Sequence, residues 1–247
     1  MSFKDHFSGH AAAYAQARPT YPPALFDWLA AQCPQRRLAW DAGCGNGQAS
    51  VALAQHFDDV FASDPSATQI AAALPHPKIR YAVEPAEQCS LPDASVDLIT
   101  VAQALHWFDC ERFYSEVKRV LAPEGRIAVW TYEHSSVAPD VDAIFLRLYR
   151  GELDAYWPPE RRHVEAGYAS LPFPFERIAA PAFELRCDWT ADQYLAYLRS
   201  WSATQRYLQA TGRDAVASIE PDLRVAWGDS AQVRAVMWPL TVKFGQL

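Results

Sequence analysis

Between residues 38 and 131, short apolar runs alternate with stretches whose apolar positions recur at helical spacing. Residues 38–42 (Leu-Ala-Trp-Asp-Ala) read as a strand, three glycines turn the chain, and a helix leaves the turn and runs to about Phe57. Residues 60–65 form a second strand closed by Asp64 and Pro65, and Ser66 is placed to cap an alanine-rich helix ending near Leu74. Residues 79–83 and 96–101 make a third and a fourth strand. Asp109 or Glu111 opens an amphipathic helix running to Leu121, with Phe113, Val117 and Val120 on one face. Pro123-Glu124-Gly125 then turns the chain into a strand over 126–131. Strands and helices alternating at this interval predict a doubly wound, mostly parallel α/β sheet. Ligands of such sheets bind beyond the carboxyl ends of the strands, where Asp41, Asp64, Glu84 and Gln103 fall.

Outside that span the pattern is less regular. Pro19, Pro22 and Pro23 divide the opening of the chain into an early helical piece and a second helix over 24–31. From about residue 135 a helical segment, 141–153, is followed by Tyr156-Trp157-Pro158-Pro159 and Leu171-Pro172-Phe173-Pro174-Phe175. Prolines and aromatics this dense do not make regular sheet, so 135–182 reads as a helical, aromatic lid insertion. Residues 183–189 alternate as a strand does, Thr190 caps a helix over 191–200, and 233–244 form a last strand. Pro239 within it requires an edge position or a bulge.

Composition narrows the classes. Half of the 247 residues are apolar and 21% are charged, which is the make-up of a folded domain, here a single one over 1–247. A formal charge of −7 gives no electrostatic footprint for nucleic acid or an anionic membrane, so neither partner is expected. The five cysteines are scattered and form no C-x-x-C pair, which argues against a disulfide framework or a zinc site, and no metal is expected. With no signal-peptide pattern at the start and no apolar run long enough to span a bilayer, the expected compartment is the cytoplasm.

The glycine turn carries the first chemical signal. Glycines at 43, 45 and 47 allow positive φ and close approach of a ligand to the main chain. A dinucleotide fingerprint would need G-x-G-x-x-G, but Gln48 holds its third position. Asp41, two residues before the first glycine, is a poor neighbour for a pyrophosphate and suits a positively charged ligand. Asp64, about twenty residues on, can accept both hydroxyls of a ribose or cap the helix that begins after Ser66.

Asp41-Ala42-Gly43-Cys44-Gly45-Asn46-Gly47 with Asp64, followed by Leu91-Pro92-Asp93-Ala94-Ser95-Val96-Asp97-Leu98-Ile99, resembles the class I S-adenosylmethionine-dependent methyltransferases with a type 11 methyltransferase domain. Residues 14–22 (Tyr-Ala-Gln-Ala-Arg-Pro-Thr-Tyr-Pro) and 103–109 (Gln-Ala-Leu-His-Trp-Phe-Asp) are similar to the branch that contains trans-aconitate methyltransferase-like proteins. The resemblance implies a Rossmann-like, seven-stranded sheet, S-adenosyl-L-methionine as cofactor and a cofactor-binding core over 34–131. It implies that Asp41, Gly43, Gly45 and Gly47 serve the methionyl end and Asp64 the ribose. Pro65 and Ser66 would flank the adenine, Ala86 and Glu87 would lie near its amino edge, and Gln103 would sit under the sulfonium. By the same similarity the segment holding Tyr14 and Arg18 folds over the cofactor, with both residues able to reach the substrate. Glu124 stands where the family often has a second glycine.

These features point to transfer of a methyl group to a small molecule, with a carboxylic acid as the acceptor. A carboxylate nucleophile needs no general base, whereas a hydroxyl does. His106 is the candidate base; its alternative is a pocket wall stacked on Trp107, itself a candidate substrate contact. His134 and His163 read as surface residues. Arg161 and Arg162 beside the lid aromatics could fork a substrate carboxylate or lie on a solvated loop. Two other classes fit the same residues less well: a cofactor-binding module without turnover, and an NAD(P)-dependent oxidoreductase. The expected assembly is a monomer or a weak homodimer.

Overall fold

The computed structural model describes residues 19–247. Proline in the first turn of a helix forfeits no bond, and Pro22 and Pro23 accordingly open α1 (Pro23–Ala31), which buries Leu25, Phe26 and Leu29. The next apolar run is β1 (Leu38–Ala42); the glycine turn delivers α2 (Gln48–Leu53), and β2 (Asp59–Ser63) lies parallel to β1 with Trp40 beside Phe61. Ser66 caps α3 (Ala67–Ala71), its Oγ accepting the N–H of Gln69, and β3 (Ile79–Ala82) pairs parallel with β2. Both helices end sooner than their apolar spacing predicts. Residues 55, 56 and 73 bond to carbonyls three residues back instead of four, the tightening that closes a helix.

β4 (Val96–Ala102) is buried along most of its length and pairs with β1 on the side away from β2. Asp109 caps α4 (Cys110–Val120), and β5 (Leu121–Thr131) follows directly, parallel to β4. The Pro123-Glu124-Gly125 excursion shifts the β4–β5 register between Val96 and Leu98. Alternate residues of β5 serve two cores, as a strand's period of two requires. Ile127 and Val129 pack with α4, and Ala128 and Trp130 with the core that holds α1.

Beyond β5 come α5 (Pro139–Arg147), α6 (Arg161–Glu165), β6 (Glu176–Ile178) and β7 (Phe183–Trp189). α7 (Ala191–Arg199) opens on a Thr190–Gln193 capping box, and α8 (Ser202–Thr211), α9 (Glu220–Trp227) and β8 (Arg234–Gln246) complete the chain. The sheet order is β3-β2-β1-β4-β5-β8-β6. Seven strands thus form the continuous path, and β7 adds an eighth against the first half of β8. Pro239 lies in that half, past the last pair with β5 (Thr131 with Thr241), so no β5 ladder bond needs its missing N–H.

The residues expected as a lid, 135–182, do not stand apart. β6 belongs to the sheet, and α5 packs with α9, which packs in turn with α7, so the helical layer extends to residue 227. No helix among the described residues is long and apolar enough to cross a membrane. The strand order reverses between β1 and β4, and the loops leaving those two strands diverge there into a crevice.

Candidate active site

The turn after β1 owes its shape to Gly43, Gly45 and Gly47, all left-handed at φ +69°, +55° and +86°. A Cβ on Gly43 would stand 2.8 Å from that of Ala104, and one on Gly47 would collide with the Tyr81 hydroxyl. Those two glycines are required by packing. Gly45 is different, because a Cβ there would meet only Gln69 Oε1 at 3.8 Å, so its face is open to a ligand.

Two carboxylates flank this turn. Asp64, at the carboxyl end of β2, accepts the N–H of Gly45 at 2.9 Å and the N–H of Ser66 at 2.8 Å. It therefore fixes the turn and the start of α3 together, and the ribose and capping readings fall on one side chain. Asp41 is wholly buried and turned inward, accepting from Ser50 Oγ at 2.6 Å and Thr100 Oγ1 at 3.1 Å. Burial pushes its carboxyl up to about 6, against the pull of those hydroxyls and with a further push from the Asp64 charge. In this arrangement Asp41 braces the turn, and it would act on a ligand only through its field. Pro65 follows Asp64 directly, while Ala86 is buried in the loop after β3 and Glu87 accepts the N–H of Asp109 at 2.8 Å.

At the ends of β4 and β5 a cavity opens, about 700 Å³ counting its mouth and the solvent it includes. Gln103 reaches it in a left-handed conformation, φ +58°. Its amide is pinned to β5: Nε2 donates to the Tyr132 carbonyl, and Oε1 accepts from Thr131 Oγ1 and the Tyr132 N–H. His106 lies on the same wall, its ring 4.6 Å from that of Trp107 and its Nδ1 2.8 Å from the Tyr168 hydroxyl. Burial, with the charges of Arg161 and His163, brings His106 down to about 3, so the ring is neutral and a weak base. The wall-forming alternative describes its contacts.

Arg161 comes from α6 in the helical layer and lines this cavity. Its Nε donates to the Tyr149 hydroxyl at 2.7 Å, that hydroxyl donates on to Glu165 at 2.7 Å, and the guanidinium lies 5.0 Å over Trp157. Arg162, one residue on, is exposed and does not line the cavity. Tyr14 and Arg18 lie outside the described residues. His134 is a correction to the surface reading: it is half-buried, edge-on to Tyr149 with ring centroids 4.4 Å apart. Sequence reasoning missed Tyr197 and Trp201, which line the cavity from the end of α7 and the start of α8, and Tyr149, which packs behind Arg161 and Trp157. The aromatic density of the second half of the chain was their one signal. Among the described residues no cluster of three or more His, Cys, Asp or Glu could hold a metal ion.

S-adenosylmethionine, implied by the resemblance, brings a sulfonium, an ammonium and a ribose, and no phosphate. The open face of Gly45 between Asp64 and the buried Asp41 fits such a ligand, since two carboxylates there favour a cation and disfavour a pyrophosphate. Asp64 would hold the ribose, and the main chain at Gly43–Gly45 the amino-acid end. When bound, the cofactor supplies an activated methyl group.

Residues 40–129 match the family described as a methyltransferase domain. A protein of Dictyostelium discoideum named as a methyltransferase is 34% identical over 236 residues, 92% of this chain and 90% of that protein. One of Saccharomyces cerevisiae, named as an S-adenosylmethionine-dependent methyltransferase, is 32% identical over 130 residues, 49% of this chain and 45% of its own. Among solved structures, a type II methyltransferase from Anaeromyxobacter dehalogenans superposes with a TM-score of 0.87 at 49% identity, covering 93% of this chain and 97% of that one. The chain belongs to the class I S-adenosylmethionine-dependent methyltransferase family.

Proposed function

We propose that the protein transfers a methyl group from S-adenosylmethionine to the carboxylate of a small acid. The observation that carries this reading is Arg161: it faces the cavity at the ends of β4 and β5, beside Gln103 and His106, and its Nε is already held by Tyr149. A guanidinium anchored on one edge presents its remaining donors in a fixed plane, which orients a carboxylate through paired hydrogen bonds. Orientation is what this chemistry needs, since an in-line displacement from an activated donor can gain roughly 7–11 kcal/mol from it. His106 points the same way. A ring held near pKa 3 is poorly suited to deprotonate a hydroxyl, and a carboxylate acceptor needs no such base. The likeness of residues 103–109 to the trans-aconitate methyltransferase-like branch also supports an acid. A cofactor-binding module without turnover would have no use for a cavity at the ends of β4 and β5 lined by a guanidinium and aromatic rings.

The test is labelled-methyl transfer to a panel of small acids and phenols, with the product treated with alkali. Methyl esters release the label as methanol, whereas aryl ethers retain it. We expect alkali-labile label, and kcat without an inflection near pH 6.5. Arg161→Lys should raise KM and lower kcat together, because the charge stays while the fork is lost. Alkali-stable label on a phenol would sink the carboxylate reading.

A further inference from the structure

We infer that the acceptor is a monocarboxylic acid with an aromatic body, an inference that rests on the carboxylate reading above. Among the described residues lining the cavity, Arg161 is the one cation. His106 adds no charge, because burial keeps its ring neutral. One guanidinium can pair with one carboxylate, and the same guanidinium already gives its Nε to Tyr149 and its Nη2 to the Glu133 carbonyl at 3.3 Å. A substrate with two or three carboxylates would find no second cation among the described lining residues. Glu133, a residue lining the same cavity with an exposed side chain, adds a negative charge nearby that disfavours further carboxylates.

The remaining wall is built mainly of rings. Trp107, Trp157, Tyr197 and Trp201 all line it. Trp157 and Trp201 are tilted with centroids 5.5 Å apart, and Tyr197 meets Trp201 edge-on, also at 5.5 Å. An aromatic body laid against the cavity side of these packed rings gains offset and edge-to-face contacts that an alkyl chain of equal area does not. Trp157 serves both parts of the site, since it also lies beneath the Arg161 guanidinium and so couples the anion fork to the aromatic wall.

The experiment compares cinnamate, hexanoate and aconitate on the full chain, by calorimetric binding with S-adenosylhomocysteine present and by labelled-methyl transfer. Cinnamate is expected to bind at least about tenfold more tightly than either of the others, a difference of about 1.4 kcal/mol. Equal or tighter binding of aconitate or hexanoate overturns the inference. Cinnamate that binds with this preference but accepts no methyl group supports the aromatic-acid site while sinking the transfer reading; preferred methylation of aconitate does the reverse. Glu133→Gln, a change at an exposed side chain, should narrow the cinnamate-to-aconitate gap by about threefold, because aconitate carries more negative charge past that position than cinnamate does. A gap that stays as wide in the variant overturns the role assigned to Glu133.

Discussion

Each carboxylate oxygen of Asp64 already accepts a main-chain N–H, so its side chain shapes the cofactor turn as well as facing it. Asp64→Ala should weaken binding of S-adenosylhomocysteine by about 1.5–3 kcal/mol, the range for charge-assisted hydrogen bonds, or roughly ten- to a hundredfold. Calorimetry giving equal affinities would remove Asp64 from the site. Asp41 makes the opposite kind of case, since its value to the fold depends on pH. Its folded-state pKa of about 6 lies above the ordinary 3.8, so the folded chain holds this proton more tightly than the unfolded one. The contribution of Asp41 to stability is therefore greatest below about pH 4 and declines as pH rises to about 6, by roughly 3 kcal/mol for a shift of this size. Asp41→Asn removes that slope. Denaturant unfolding at pH 4 and pH 7 should show the parent losing roughly 2 kcal/mol relative to the variant, because titrating groups remote from Asp41 cancel in the difference. A difference that does not change with pH would mean that Asp41 titrates as an ordinary carboxyl.

Among the elements, β5 carries a local cost of its own. Glu124 sits in its bulge at φ +63°, a left-handed conformation that costs a residue with a Cβ about 1 kcal/mol or more, and its side chain is exposed. Glu124→Gly should therefore stabilise the fold by about 0.5–1 kcal/mol, after allowing for the extra freedom glycine has in the unfolded chain. An unchanged denaturation midpoint would show that the bulge relaxes around the glutamate. The strands of the parallel core were legible because burial on both faces demands mainly apolar runs, and 38–42, 60–63 and 96–101 supply them, broken only at Asp41, Ser63, Asp97 and Thr100. Caps at Ser66, Asp109 and Thr190 were legible for a local reason: each bonds an N–H two or three residues on. Helix ends were less so, since the closing i−3 turns after α2 and α3 leave no mark in the apolar spacing. The glycine turn could be located from sequence, but the inward direction of Asp41 depends on Ser50 and Thr100, one on the next helix and one on the neighbouring strand. Arg161 and Arg162 look alike in sequence. Only the packing of α6 against Tyr149 and Trp157 separates the one that enters the cavity from the one that faces solvent.

For the whole molecule, the question is whether the helical layer moves as a lid or folds with the sheet. Its side of the cavity is formed by Trp157, Arg161, Tyr197 and Trp201, and the sheet's side by Gln103, His106 and Tyr132. One continuous buried core joins the two, running from Phe26 and Trp130 through Trp238 and Phe244 to Tyr194, Leu198 and Trp227. Trp238 of β8 also donates its indole N–H to the Tyr197 hydroxyl at 3.2 Å, a polar tie across the same boundary. A layer bound this way should not melt on its own. Heating should give one transition, with far-UV dichroism and tryptophan fluorescence superimposed, the latter reporting on the layer through Trp157, Trp201 and Trp227. Binding at the glycine turn, the proposed cofactor site, then tests the coupling. S-adenosylhomocysteine at about a hundred times its Kd should add about 2.7 kcal/mol to the folded state, raising Tm by roughly 5–10 °C for a chain of this size. NADH at the same concentration should leave Tm unchanged, because the turn offers carboxylates where a pyrophosphate would need donors. Both probes must shift together, since ligand bound beside Asp64 stabilises whatever unfolds with the sheet. Trp40, Trp130 and Trp238 of the sheet also fluoresce. If part of the fluorescence change nevertheless stays at its original temperature while dichroism shifts, the helical layer is an independent lid, and the cavity has a mobile wall.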